Sequence, residues 1–133
     1  MTERSSRFLP GLFAFLALLY AIVIFSLSSL SGEDIPALPP TAPQADKLAH
    51  FALYAGFGVV LYLAFSQMRQ EKITDNAITL TLVVGTVYGI TDEVHQYFVP
   101  GRSMDIVDVL VDFLAILAAV GIIVLVKKMR QSE

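Results

Sequence analysis

The stretch LPGLFAFLALLYAIVIFSLSSL, from Leu9 to Leu30, contains no charged residue and decides the class of this protein. A helix rises about 1.5 Å per residue, so this stretch is long enough to cross the roughly 30 Å hydrocarbon core of a bilayer. In the whole chain, 56% of the residues are hydrophobic and 16% are charged, which indicates an integral membrane protein. A cleaved signal peptide is the alternative, but its apolar run usually covers only about 7 to 15 residues.

Three further apolar segments follow, and each is close to the length that a membrane span requires. Their continuous apolar character excludes the alternating pattern of a membrane β-barrel. Because backbone groups inside a bilayer must be satisfied within the segment, we expect helices. The sequence therefore predicts an all-α, four-helix transmembrane bundle that forms a single domain. The predicted spans cover about residues 9–30, 48–65, 78–98 and 106–126 of the domain at 1–133.

Basic residues are distributed unequally between the two predicted faces of the membrane. Of the nine Lys and Arg residues, Lys47 and Arg102 flank one face, and the other seven flank the face that carries both termini. Cytoplasmic segments of membrane proteins carry the excess of Lys and Arg. We therefore expect both termini to be cytoplasmic and the proline-rich loop at residues 31–45 to lie outside.

Composition also limits the partners and the cofactors. The net charge is −3 and the basic residues are scattered, so nucleic acid is not an expected partner. The lipid bilayer is the expected environment. Because the chain has no cysteine, neither a disulfide nor a thiolate metal ligand is available.

Polar residues interrupt the second and fourth spans near their predicted outer ends. Asp46, His50 and Tyr54 are spaced by four residues and form one stripe along the second span. Asp108 and Asp112 form a similar stripe on the fourth span. An ionisable group inside a span costs about 2.5 to 3.5 kcal/mol on insertion scales, so both stripes should face the interior of the bundle.

The third span carries polar residues on two neighbouring faces. Tyr88, Asp92 and His95 share one face, and Glu93 and Gln96 lie beside it. The polar residues of the three spans therefore point to one outward-facing pocket in which carboxylates outnumber cations. A protonated carboxylate, a charged histidine or a bound cation would balance that excess, so a divalent metal is a candidate cofactor.

Several of these residues also have purely structural interpretations. Asp105 is placed to cap the N-terminus of the fourth span, and Asp108 in the first turn would then interact favourably with the helix dipole. Lys47 can extend to the lipid headgroups. Arg102, in the turn VPGRS at residues 99–103, can form a salt bridge or hold an anionic group of a ligand. The tyrosines can be an interfacial aromatic belt or helix packing.

The polar motifs resemble those of the VanZ-like family. DKLAHF at residues 46–51 and DEVHQYFVPGR at residues 92–102 carry the resemblance, which covers about three of the four spans. The family-type positions that it implies are Asp46, Lys47, His50, Tyr54, Asp92, Glu93, Gln96, Pro100, Arg102 and Asp108. His95 fits a common variant of the motif. Asp112 stands where Asn or another small polar residue is expected.

The resemblance implies a multi-pass protein of the bacterial inner or plasma membrane. The family's namesake is associated with reduced susceptibility to the glycopeptide teicoplanin. The expected role is therefore the binding or modification of a lipid-linked or cell-wall component at the outer leaflet.

Two other classes of function compete with that role. An intramembrane hydrolase or transferase would use Asp92 or Glu93 as a base and His50 or His95 as its partner. Arg102 would stabilise developing anionic charge, with or without a divalent metal. A noncatalytic packing or transport accessory subunit would use the same polar cluster only to hold the helices together.

Overall fold

A computed structural model describes residues 2–34 and 45–132 of the chain. This part is all-helical, and four of its helices are long and apolar enough to cross a membrane, which confirms the predicted fold class. The helices are α1 (Thr2–Ser28), α2 (Ala45–Ser66), α3 (Glu71–Asp75), α4 (Ala77–Tyr97) and α5 (Ile106–Gln131). Residues 35–44 of the predicted proline-rich loop lie outside the described residues.

Three spanning helices extend clearly beyond the apolar runs that predicted them, and α1 does so by beginning at Thr2. α2 begins at Ala45, before the apolar run, because the negative charge of Asp46 in its first turn interacts favourably with the positive end of the helix dipole. α5 continues to Gln131, because the positive charges of Lys128 and Arg130 in its last turn interact favourably with the negative end of the helix dipole. The charged residues that flank the apolar runs of α2 and α5 are therefore part of the helices.

The bundle is organised around α2, which packs against each of the other three spanning helices. α1 packs mainly on α2 and makes a smaller contact with α4. Glycines allow the close approach of α2 and α4 to α5, because a Cβ atom at Gly58 or Gly85 would contact the side chain of Ile116. The start of α2, the end of α4 and the start of α5 consequently meet at one end of the bundle, which we call the polar end.

Two glycines hold the chain together across the polar end. The Gly32 N–H, after α1, donates a hydrogen bond of 3.0 Å to the Pro100 carbonyl in the turn between α4 and α5. A Cβ atom at Gly32 would collide with the Gly101 carbonyl, and Gly101 has a φ of 72°, which favours glycine. This close approach places Arg102, the next residue, beside the ends of α1 and α4.

Candidate functional site

An ion pair joins α2 to the start of α5 at the polar end. Lys47 Nζ donates to Asp105 Oδ2 at 2.6 Å and also to Asp108 Oδ1. Asp108 is only 4% exposed, so Lys47 neutralises a buried carboxylate. Asp105 also caps α5, because its Oδ1 accepts the Val107 N–H at 2.8 Å. The hydrogen bond from Lys47 holds the pKa of Asp105 below its usual value.

A buried histidine and carboxylate form a second link between the same two helices. His50 Nδ1 lies 3.0 Å from Asp112 Oδ1, and both side chains are buried. A carboxylate accepts, so Nδ1 of His50 carries the proton. His50 Nε2 lies 3.9 Å from Glu93 Oε1 on α4. The imidazole is thus held between carboxylates of two helices.

Glu93 connects α4 to the beginning of α5. Its Oε2 accepts the backbone N–H of Asp105 at 2.8 Å, and its Oε1 accepts from Gln96 Nε2 at 3.3 Å. Glu93 is 1% exposed, so these donors replace the water that a carboxylate would otherwise bind. Much of the hydrogen-bonding capacity of Glu93 is therefore used in holding the bundle together.

The Gln96 amide separates a cation from a carboxylate. Arg102 Nη2 donates to Gln96 Oε1, and Gln96 Nε2 donates to Asp92 Oδ2 at 3.2 Å. Both hydrogen bonds fix the orientation of the amide, since its oxygen accepts and its nitrogen donates. Arg102 and Asp92 therefore bind the oxygen and the nitrogen of the same Gln96 amide and form no ion pair with each other.

A cavity of about 260 Å³ opens at the polar end between α1, α2 and α4. One wall is apolar and is formed by Ile24 and Leu27 of α1 with Leu53 of α2. Most of the cavity surface is apolar, and a smaller polar wall includes the family-type residues Asp46, His50, Tyr54, Asp92, Gln96 and Arg102. The cavity therefore presents an apolar and a polar surface to one occupant.

Three buried oxygen atoms of this region lack a hydrogen-bond partner among the described residues. They are Tyr54 Oη, Asp92 Oδ1 and Asp112 Oδ2. Tyr54 and Asp92 line the cavity and are 0% and 5% exposed. A buried polar atom without a partner costs about 1 to 3 kcal/mol, so these two residues would gain most from a polar occupant.

His95 and Tyr88 make their hydrogen bonds to α1, although Asp92 lines a small second cavity together with them. Ser29 Oγ donates its proton to the Phe25 carbonyl at 2.7 Å, so His95 Nε2, at 3.0 Å from Ser29 Oγ, is the donor in that contact. The His95 ring also stacks on Phe25. Tyr88 donates to the Ala21 carbonyl at 2.6 Å. The structure thus places these two residues at the α1–α4 contact, beside Asp92 of the predicted cluster.

A group of three residues has the spacing of a metal site. Asp46, His50 and Asp108 each offer a ligand atom, and these atoms lie within 4.8 Å of one another. The Asp112 carboxylate on His50 is the type of second partner that orients a metal-binding imidazole. Lys47 already supplies a positive charge to Asp108, however, and a divalent ion there would compete with it. The donor set fits a divalent ion only if that lysine moves.

Sequence reasoning missed the contribution of α1 to the site. Ile24 and Leu27 form the apolar wall, and Asp34, just after the helix, lines the cavity as well. The first span has no charged residue and few polar ones, so its sequence carries no clear stripe that distinguishes the cavity side from the lipid side. Only packing against α2 reveals which residues face inward.

Comparison with known proteins supplies one match. A family model described as VanZ/LLP1 matches residues 8–127, which is most of the chain. The match includes α1, which the sequence motifs do not reach. No curated protein and no solved structure shows significant similarity to the chain.

Proposed function

Because this chain belongs to the VanZ/LLP1 family, with its polar motifs gathered at one end of a four-helix membrane bundle, we propose that it binds a lipid-linked component of the cell envelope. The observation that carries the proposal is the cavity between α1, α2 and α4. A lipid-linked molecule has an apolar chain and a polar headgroup, and the two walls of the cavity match these two parts.

The apolar wall supports access from the bilayer. α1 contributes much of this wall and packs mainly on α2, so its side toward α4 is less tightly closed. Leu27 lines the cavity and is also exposed at the bundle surface, where lipid chains lie. An acyl or polyprenyl chain can therefore follow α1 while its headgroup occupies the polar wall.

The orientation of the bundle belongs to the same proposal. Cytoplasmic termini, which the excess of basic residues favours, place the cavity at the outer leaflet of a bacterial inner or plasma membrane. Because the chain has no cysteine, Ser103→Cys and Ser132→Cys report the two ends separately. A membrane-impermeant maleimide should label the first variant in intact cells and the second only after lysis; the reverse pattern rejects the orientation.

A cavity-filling substitution tests the binding proposal. Ala49 and Ala52 are both exposed on α2, but only Ala49 is among the residues that line the cavity. Ala49→Phe should therefore displace the occupant, whereas Ala52→Phe adds the same ring outside the cavity. We expect native mass spectrometry of the purified wild-type chain to show a retained amphiphile that Ala49→Phe loses and Ala52→Phe keeps. Equal retention by both variants, or none by the wild type, would reject the proposal.

The resemblance to the family's namesake makes glycopeptide tolerance the expected cellular consequence of this binding. Expression of the wild-type chain in a susceptible bacterium should raise the inhibitory concentration of teicoplanin. Ala49→Phe should abolish the increase while Ala52→Phe retains it. An increase that survives Ala49→Phe would separate tolerance from the cavity.

Acid and base chemistry is the second candidate function. The buried His50–Asp112 pair with Glu93 at 3.9 Å favours it, because a histidine held by one carboxylate is a common general base. Asp46 and Asp108 would hold a divalent ion together with His50 in the metal-assisted version. Incubation of the purified chain with its retained amphiphile should then yield a product that His50→Gln fails to form. Metal content equal to that of His50→Gln would reject the metal-assisted version.

A further inference from the structure

The charges lining the cavity specify the headgroup more closely than its two walls do. Four carboxylates are buried at the polar end, namely Asp92, Glu93, Asp108 and Asp112. Lys47 pairs with Asp108, and His50 lies within ion-pair distance of Glu93 and Asp112. Among the described side chains, at residues 9–34 and 45–132, no Lys, Arg or His forms an ion pair with Asp92. Asp92 is thus the buried carboxylate that lacks a cation.

The loop between α1 and α2 adds no basic side chain to this end of the bundle. The stretch from residue 35 to 44 contains no Lys, Arg or His in its sequence. Lys47 and Arg102 are the two basic residues at this end of the bundle, and Lys47 is engaged by Asp105 and Asp108. Arg102 donates to the Gln96 amide. His95, which lines a neighbouring cavity together with Asp92, is held by Ser29. A cationic group of the bound molecule is therefore the partner that we expect for Asp92.

An ammonium group suits this position better than a metal ion. Asp92 Oδ1 and Tyr54 Oη are the unpartnered oxygens on residues that line the described part of the cavity. A hard metal ion requires about six oxygen ligands, whereas a primary ammonium has three N–H groups, two of which these oxygens can accept. A primary amine of the headgroup would donate to both atoms at once, while the Tyr54 hydroxyl proton, which an ammonium cannot accept, would go to the Asp92 carboxylate.

Arg102 indicates that the headgroup also carries a negative charge close to its amine. Its guanidinium lines the same cavity and contacts the uncharged Gln96 oxygen rather than a carboxylate of the described residues. Arginine is well suited to bind phosphate, because its planar N–H groups match the phosphate oxygens. The Gln96 amide lies between the Arg102 guanidinium and the Asp92 carboxylate and is hydrogen-bonded to both.

We infer that the cavity selects an amphiphile whose headgroup is a zwitterion, with a primary amine at Asp92 and Tyr54 and a phosphate at Arg102. Phosphoethanolamine is the simplest headgroup of this class. This inference rests on the proposed function, because it names the headgroup of the molecule that the cavity binds.

Competition among defined lipids tests the inference. The probes are phosphatidylethanolamine, phosphatidylcholine and phosphatidylglycerol with identical acyl chains, added in equal amounts to the purified full chain and measured by native mass spectrometry. We expect phosphatidylethanolamine to be retained about tenfold over phosphatidylglycerol. Phosphatidylcholine should be intermediate, since its quaternary ammonium carries the charge but no N–H donor.

Two variants assign the preference to the proposed atoms. Asp92→Asn should reduce the ratio of phosphatidylethanolamine to phosphatidylglycerol at least fivefold, while Asp75→Asn, at an exposed position in α3, should leave it unchanged. Tyr54→Phe removes only the hydroxyl and should lower the ratio of phosphatidylethanolamine to phosphatidylcholine. It provides a second measurement if Asp92→Asn fails to fold.

The outcomes separate the inference from the proposed function. Lipid binding without a headgroup preference, or a preference that both Asp92→Asn and Tyr54→Phe retain, would overturn the zwitterion inference and leave lipid binding intact. Soluble phosphoethanolamine that displaces the lipid at equal concentration would overturn the proposed function, because the chain of the lipid would then contribute nothing. A preference that Ala49→Phe also abolishes would support both.

Discussion

Removing the Lys47 ammonium should destabilise the bundle by leaving a buried carboxylate without its cation. In Lys47→Met the hydrocarbon stem is approximately retained, but Asp108, at 4% exposure, loses its ion pair. Breaking a buried pair by removing one partner costs about 3 to 5 kcal/mol. The Lys47 side chain is 26% exposed, so water can partly replace it, and we expect a loss near the lower limit.

A double-mutant cycle isolates this ion pair from the other effects of the substitution. Asp108→Asn removes the buried charge and leaves Lys47 in contact with Asp105, so it should cost only about 1 to 2 kcal/mol. In the double variant no carboxylate remains at position 108, and its stability should lie close to that of Asp108→Asn alone. The expected coupling therefore equals the loss for Lys47→Met alone, which is about 3 kcal/mol.

Unfolding in mixed detergent micelles with increasing SDS, followed by circular dichroism, measures these free energies. Lys72→Met is the matched control, because Lys72 is exposed near the opposite end of the bundle and its substitution should change stability by less than about 0.5 kcal/mol. Equal losses for Lys47→Met and Lys72→Met, or strictly additive losses in the cycle, would refute the assignment of Lys47 as the counter-ion of Asp108.

Four further substitutions test three other contacts at the polar end by the same unfolding assay. Gly32→Ala should cost about 1 to 3 kcal/mol, since its Cβ atom has no space beside the turn between α4 and α5; full stability would contradict the close approach. His50→Ala should cost about 3 kcal/mol or more at neutral pH by isolating the Asp112 carboxylate, whereas Asp112→Asn should cost less. Lys47 lowers the pKa of Asp105, so the ionised Asp105 carboxylate stabilises the folded bundle. This stabilisation is fully present above about pH 4 and is lost as the pH falls through the lowered pKa. Asp105→Asn should therefore lose less stability than the wild type on acidification from pH 7 to pH 3; an equal loss would contradict this role.

The sequence by itself determined the class of fold and the end of the bundle at which the polar residues collect. Apolar runs of membrane-spanning length leave the helix as the element that satisfies its own backbone, so four spans followed from composition and spacing. The periodicity of each helix likewise indicated that His50, Asp108 and Asp112 share an interior, because it defines the angle of a side chain about the axis of its own helix.

Only the tertiary structure decided which polar groups meet. His95 and Asp92 lie on one predicted face of α4, yet His95 contacts Ser29 of α1 while Asp92 faces the cavity. Helical spacing leaves open the rotation of one helix against the next, and here that rotation depends on glycines such as Gly85, which let α4 approach Ile116 of α5. The absence of a cation beside Asp92 among the described residues is a property of this packing, because it depends on distances between residues of different helices.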